Sequence, residues 1–344
     1  MSSQLESKQP PDLSIVIVSW NVRDFLQSCL LSVYPPGNHA PAGQSRVSLL
    51  PFDIDSFCIE TIVVDNASAD DSVEMVRQAF PQVTLIANAD NRGFTGGNNQ
   101  GIAASRGRYV LLLNPDTEVL DDALARMVAY MDAHPDAGAL GPMLLNPDGS
   151  VQSSRRRLPT PATAFLESTT LQNWFPHHRL LRDYYVLDKP DDAIAEVDWV
   201  QGACLLARRE ALDQAGLLDD GYFMYSEELD WCRRAKAAGW KVTYYPEARV
   251  IHHGGQSSEQ VKAFQIIQFN RSKIRYFRKY HGALVAAVLR AFLLINYSYQ
   301  FFLETAKWAV GHKRPLRHQR MRAYWQVLKS RLQIKDKSGK KRKS

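Results

Sequence analysis

The chain has 344 residues, 45% hydrophobic and 23% charged, an ordinary globular balance with length enough for a large α/β domain and an appendage. Net charge is +6, but residues 261–344 carry 21 lysines or arginines against only Glu304 and Asp336. Subtracting this local +19 from the total leaves about −13 for the remainder. An acidic body with a basic segment can meet an anionic membrane or nucleic acid. The four cysteines, Cys29, Cys58, Cys204 and Cys232, form no CxxC pair, which reads as reduced, structural thiols in a cytosolic chain.

Residues 1–12 are polar, lack an apolar signal core and are expected to be disordered. Residues 13–19 (LSIVIVS) read as a strand buried on both faces, followed by a helix at 24–33 with Asp24 in its first turn. Residues 35–57, rich in Pro, Gly and Ser and without a clear period, read as an inserted loop. A second strand at 58–64 ends in Asp65-Asn66, and a helix opened by 68–71 runs to 79. A third strand at 83–87 leads to a polar, glycine-rich turn at 91–100 (NRGFTGGNNQ) and a helix at 98–106.

The fourth strand lies in YVLLLNPDTEV (109–119). Its apolar run stops at Asn114-Pro115-Asp116, because Pro115 cannot continue a ladder. A helix follows at 121–133. Four strands alternating with helices imply βαβ units and a mostly parallel sheet flanked by helices. Asp116 then stands at the carboxyl edge, where open α/β sheets bind ligands. A carboxylate there suits a divalent cation that holds phosphate oxygens; an Asx-type turn is the plainer reading.

The middle is less regular. Residues 137–145 read as a strand and 146–149 as a turn. Arg155-Arg156-Arg157 reads equally as a solvated loop or a phosphate contact, and 158–190 as a mobile loop over a binding site. A strand at 197–207 has Gly202 at a close approach, and a short helix at 208–214 stops at Gly216.

In DDGYFMYSEELDWCRRAKAAGW (219–240), Ser226 is placed as an N-cap, with Glu227, Glu228 and Asp230 in the first turn. That pattern describes a well-capped helix. Three carboxylates beside Tyr222, Phe223 and Tyr225 also describe a general base next to an apolar sugar face, where desolvation raises its pKa. Strands at 242–245 and 249–252 follow, the second ending in His252-His253-Gly254-Gly255. His252 reads equally as a metal ligand and as a structural histidine.

Taken together, SIVIVSWN, VVDNASADDS, NRGFTGGNNQGI, LLLNPDTEV, GACLLARREAL, YFMYSEELDWCRRAKAAGW and VIHHGGQSS, in this order over residues 13–282, resemble the family 2 inverting glycosyltransferases of GT-A fold, most closely their rhamnosyltransferase branch. The resemblance implies a GT-A domain over 13–258, with 35–57 longer than the usual family loop. It places Ser19, Asn21, Asp65, Asn91, Gly93 and Asn98 around a nucleotide-sugar. Asn114 and Asp116 occupy the DxD position, Asn114 replacing the first acid. Asp116 and His252 would hold Mg2+ or Mn2+. Glu227-Glu228 matches the Glu-Asp pair that carries the base, here Glu228, with Glu227 left open as the alternative. Trp199, Gly202 and Asp230 fall on the acceptor side. The implied reaction moves a sugar, with dTDP-rhamnose favoured over a UDP-sugar, to a glycan or lipid-linked acceptor in cell-surface polysaccharide assembly.

The basic C-terminal part reads as a helical, membrane-proximal appendage over 259–333 and a disordered tail over 334–344. Residues 283–303 are apolar but include Arg290, Asn296, Ser298 and Gln300. Asn296, Gln300, Glu304 and Lys307 form one polar stripe. An interfacial helix on an anionic membrane fits this better than a span, with a helix packed on the body as the alternative. The expected location is the cytoplasmic face of the inner membrane. A dehydrogenase would carry GxGxxG after the first strand, where this chain has Ser19-Trp20-Asn21-Val22. A nucleic-acid binder would leave Asp116 and Glu228 unexplained, and no nucleic-acid motif appears.

Overall fold

The computed structural model describes residues 10–35, 45–46, 57–167, 171–254 and 262–334. The expected disordered start up to residue 9, most of the 35–57 insertion and the tail from 335 lie outside the described residues.

Strand β1 (Leu13–Ser19) is buried at all seven positions, around the apolar run Ile15–Val18. It pairs in parallel with β2 (Cys58–Asp65) on one side and with the strand Tyr109–Leu113 on the other. Between them run α1 (Arg23–Val33), α2 (Ser72–Ala79), β3 (Thr84–Ala87), parallel to β2, and α3 (Gly93–Ala104), after which Tyr109–Leu113 is β4. Alternate residues separate the two faces. Ile15, Ile17, Leu111 and Leu113 pack with α1, α2 and the helix Ala123–Ala133 (α4), whereas Val16, Val110 and Leu112 join the core on the other face. Each such side chain contributes about 1.5–3 kcal/mol.

Beyond β4 the sheet is mixed. β5 (Thr117–Val119), β6 (Ala137–Leu145), β7 (Ala195–Val197), β8 (Cys204–Arg208) and β9 (Lys241–His252) extend it, in the order β7-β9-β6-β8-β4-β1-β2, and the two-residue strands Ser45–Arg46 and Val151–Gln152 pair with β2 and β6. β8 enters antiparallel to both β4 and β6, while β6 and β9 are parallel. The strands expected at 242–245 and 249–252 are one strand with an irregularity between Tyr245 and Arg249.

Three expectations change. The glycine-rich stretch is not a turn before a helix but the first part of α3 itself. Its glycines let the helix sit directly on β1: a Cβ at Gly97 would lie 2.7 Å from Val18 Cγ1. Residues 158–190 are not one loop but include the helices Pro161–Glu167, Leu171–Trp174 and Arg179–Tyr184. The expected strand at 197–207 is divided around Gly202, with Trp199–Val200 pairing Arg155–Arg156. The arginine cluster is therefore not a loop throughout: Arg155 and Arg156 lie in a paired strand, and the exposed Arg157 meets Asp188 at 2.7 Å. Arg155 is 3% exposed and bonds Lys189 O and Asp191 at 2.7 and 2.9 Å, and Arg156 stacks on Tyr185.

Two more helices complete the core: α5 (Arg209–Ala215), ending at Gly216 with φ 76°, and α6 (Glu227–Ala237). The C-terminal helix α7 (Lys262–Ala309) breaks at Gly282, whose φ is 88°. Its second half packs on α8 (Arg314–Ser330). Glu304 of the expected polar stripe points inward, 3% exposed, and accepts two hydrogen bonds from Arg317 at 2.7 and 3.0 Å. The packed-helix reading thus holds for one side of α7, while its other side is exposed.

The contact at Gly97 yields a prediction. Gly97→Ala overpacks the α3–β1 seam at a cost of about 1–3 kcal/mol, against a helix-propensity gain of about 1 kcal/mol. The denaturant midpoint should fall; an equal or higher midpoint would contradict the close packing.

Candidate active site

Parallel register collects the chemistry at one edge. Ser19 and Asp65 are paired at the carboxyl ends of β1 and β2, and the Asn66 N–H donates to Ser19 O at 2.9 Å. β4 ends at Leu113, and the Asn114 N–H donates to Ala203 O at 2.9 Å, which draws the start of β8 to the same edge. There a cavity of about 680 Å³ opens, of a size usual for a small-molecule site. Its border carries Ser19 Oγ, Asn114 Oδ1, Gln201 Oε1, Glu227 Oε2 and Glu228 Oε2, all buried without a hydrogen-bond partner among the described residues. Buried polar atoms are ordinarily satisfied, so this set is poised for a polar ligand. The walls are aromatic, with Trp20, Phe94, Phe223 and Phe264.

Asp116 and His252 meet here although far apart in sequence. β5 pairs with the end of β9, and His253 N–H donates to Asp116 O at 2.9 Å. His252 Nε2 lies 3.6 Å from Asp116 Oδ1, and both residues are buried. His252 Nδ1 lies 2.6 Å from Gln152 Oε1. The Gln152 amide nitrogen donates to Asn146 Oδ1 at 3.0 Å, which directs its oxygen at the histidine. An amide oxygen only accepts, so Nδ1 carries the proton and the Nε2 lone pair faces Asp116. A carboxylate and an imidazole so arranged suit a divalent cation. Among the described residues no group of three His, Cys, Asp or Glu side chains could hold one, so a cation would take its remaining positions from ligand oxygens and water. His253 is occupied elsewhere, its Nε2 2.7 Å from Glu118.

The acid pair opens α6, directly after a turn of unusual backbone. Tyr225 and Ser226 both have left-handed backbone, φ 67° and 65°, conformations that cost about 1–3 kcal/mol each. Ser226 holds the N-cap position, but its side chain makes no capping bond, contrary to expectation. The turn is held instead from α7: Ser272 Oγ donates to Met224 O at 2.7 Å, and Phe264 and Phe269 pack on Phe223 and Tyr225. Glu227 is only 3% exposed. Burial, then the adjacent Glu228, pushes its carboxyl well above the usual range; burial also raises Glu228. Gly202 flanks Glu228, a Cβ there falling 3.5 Å from its side chain.

A sequence profile described as Glycosyl transferase family 2 matches residues 14–189. The chain belongs to glycosyl transferase family 2. It is a glycosyltransferase. The N-acetylglucosaminyl-diphospho-decaprenol L-rhamnosyltransferase of Mycobacterium tuberculosis is 29% identical over 268 residues, 75% of this chain and 85% of that one. Rhamnosyltransferase WbbL of Escherichia coli is 26% identical over 50% of this chain and 66% of its own. The mannosyltransferase PcManGT of Pyrobaculum calidifontis, solved with GDP-Man and Mn2+, superposes with a TM-score of 0.51 at 15% identity, covering 96% of this chain and 89% of that one; it shares the GT-A fold.

The transferase brings Ser19, Asn91, Gly93, Asn114, Asp116, Gly202, Glu227, Glu228 and His252 to one cavity. Five expected residues stand outside its border. Asn21 accepts the Ala69 N–H at 2.7 Å, Asp65 accepts the Ser68 N–H, and Asn98 donates to Phe94 O within its own helix. Trp199 donates to Arg157 O at 3.0 Å. Asp230 is fully buried, with Arg234 and Lys279 at 2.9 and 2.6 Å. The sequence reading missed Asn66, Gln201 and Gln152. Asn66 was signalled by the strand end it follows; Gln152 had no local signal, its role depending on a contact 100 residues away.

The acid pair fixes a pH dependence. Both carboxyls titrate above the ordinary 4.5 when folded, so above that pH the folded chain binds more protons and loses stability as pH rises. Glu227→Gln removes the burden. Its thermal midpoint should exceed the wild type's at pH 8 by about 2–4 °C per kcal/mol relieved, and converge with it near pH 4. A lower midpoint at pH 8 would contradict the assignment.

Proposed function

We propose that this glycosyltransferase moves a sugar, favoured as rhamnose from dTDP-rhamnose, to a hydroxyl of a glycan or lipid-linked acceptor with inversion, in cell-surface polysaccharide assembly. The reading is carried by one juxtaposition: a carboxylate–imidazole pair and two adjacent glutamates whose carboxyls burial pushes upward border the same cavity. The word rhamnosyltransferase in the mycobacterial and Escherichia coli names supports the sugar, and the decaprenol-linked substrate in the mycobacterial name supports a lipid-linked acceptor and a peripheral place on a membrane, which we propose is the cytoplasmic face of the inner membrane.

Ser19, Asn66, Asn91 and Gly93 line the side assigned to the nucleotide. Asp116 and His252 would hold Mg2+ or Mn2+; the Mn2+ in the Pyrobaculum enzyme supports a divalent ion. Such an ion supplies charge neutralisation for the departing nucleoside diphosphate. Glu228 takes the proton of the acceptor hydroxyl as that oxygen attacks the anomeric carbon. Its raised pKa suits a base working near neutral pH. Burial, which favours the neutral form of Glu227, leaves Glu228 as the member of the pair assigned to the base. One displacement inverts the anomeric centre and requires no nucleophile from the chain.

Glu228→Gln should lower kcat on the order of 10²–10⁴-fold while nucleotide affinity stays unchanged. Full turnover in that variant would defeat the assignment of the base. Turnover with a UDP-sugar and none with dTDP-rhamnose would replace the donor.

A further inference from the structure

Past Gly282, α7 presents one continuous apolar strip to solvent. Leu284, Val288, Ile295, Tyr299 and Phe302 are 78, 51, 69, 60 and 69% exposed. Their spacings of four, seven, four and three place them on one helix face, and Ala287, Ala291 and Ala306 fill the gaps, also exposed. The strip runs about 27 Å at 1.5 Å per residue and contains no charge. On the neighbouring α8, Trp325 is 51% exposed. Around this apolar surface the charge has one sign: residues 307–334 include eight lysines or arginines and no acid, with Arg322, Lys329 and Arg331 exposed.

We infer that this strip is a docking face for an anionic lipid bilayer, with the second half of α7 lying in the headgroup region rather than crossing. An apolar ridge edged by cations matches an anionic membrane surface in both hydrophobicity and charge. The helix is long and apolar enough to span by length and composition, but its inner side is bound to α8. Arg290 Nε donates to Arg331 O at 2.7 Å, and Glu304 is paired with Arg317. Spanning would carry these groups and the basic α8 into hydrocarbon, which is far more costly than resting at its surface. A second copy is a poorer occupant, because strip-to-strip packing would bring two cationic borders together.

The docking face is joined to the site. The first half of α7 puts Phe264 and Gln265 on the cavity border. It also ties down the elements that carry the acid pair, Arg275 and Lys279 meeting Asp219 at 2.9 Å and Lys279 meeting Asp230. A bilayer under the strip therefore fixes the orientation of the cavity to the lipid surface, which suits the lipid-linked acceptor of the proposed function. Only this last point rests on that reading.

The test uses the full chain with phosphatidylcholine vesicles, with and without phosphatidylglycerol. The wild type should sediment with anionic vesicles and at least tenfold less with neutral ones. Ile295→Ser/Tyr299→Ser/Phe302→Ser should lose at least tenfold in binding, with its thermal midpoint and its turnover of a water-soluble acceptor unchanged. Arg322→Glu/Lys329→Glu should erase much of the preference for anionic lipid. Absent binding by the wild type, or full binding by the triple variant, overturns the inference. So does a wild-type dimer in gel filtration that the triple variant dissolves, which would assign the strip to a second copy. Lipid binding as described, with no sugar transfer from any donor, upholds the docking face and defeats the proposed function alone.

Discussion

Strand β1 is held between two parallel neighbours, with Ser19 opposite Asp65 and Ile17 opposite Leu113. That register is strongly specified, because a one-residue slip would exchange the side chains of both buried faces. Its consequence is chemical. Three chain reversals, after Ser19, Asp65 and Leu113, open on the same edge, and the antiparallel entry of β8 and the end of β9 bring Gly202 and His252 to it. The cavity is thus assembled from segments that need no local affinity for one another.

The first turn of α6 carries two opposite solutions to buried negative charge. Asp230 is neutralised by cations, with Arg234 on its own helix and Lys279 from α7. Glu227 and Glu228 lie side by side instead, and burial favours their neutral forms. A helix N-terminus favours a carboxylate by only about 0.3–1 kcal/mol, and the upward direction of both pKa values shows that burial outweighs it. One turn of helix therefore anchors with its aspartate and is left reactive at its glutamates. The C-terminal helix takes part in both, since it supplies Lys279 and also braces the left-handed turn at Tyr225 and Ser226.

The strands of the first half were legible because each is a short apolar run closed by a turn former, and β1 is found at the expected residues. What misled was glycine. In NRGFTGGNNQ the glycines resemble a turn, yet Gly97 and Gly101 are small because the helix bearing them lies against Val18 and Val16. Local composition cannot distinguish a glycine needed for backbone freedom from one needed for contact. The candidate acids were readable from motifs, since a carboxylate after a terminated strand and a carboxylate cluster opening a helix are local patterns. The arginine cluster and Asp230 were not, because their partners, Asp191 and Lys279, are distant in sequence. Gln152, which sets the tautomer of His252, is invisible for the same reason. The amphipathic character of α7 was legible, but which side met α8 was decided by Arg317 beneath Glu304.

The central claim is that Asp116, oriented toward His252, joins a divalent cation to the diphosphate of a nucleotide sugar. Titration calorimetry of the full chain with dTDP-rhamnose, with and without Mn2+, addresses it most directly. The account predicts that Mn2+ tightens binding at least tenfold in the wild type, and that this gain disappears in Asp116→Ala while the thermal unfolding of the unliganded protein is retained. Equal binding with and without the cation, or an undiminished cation effect in Asp116→Ala, would contradict it.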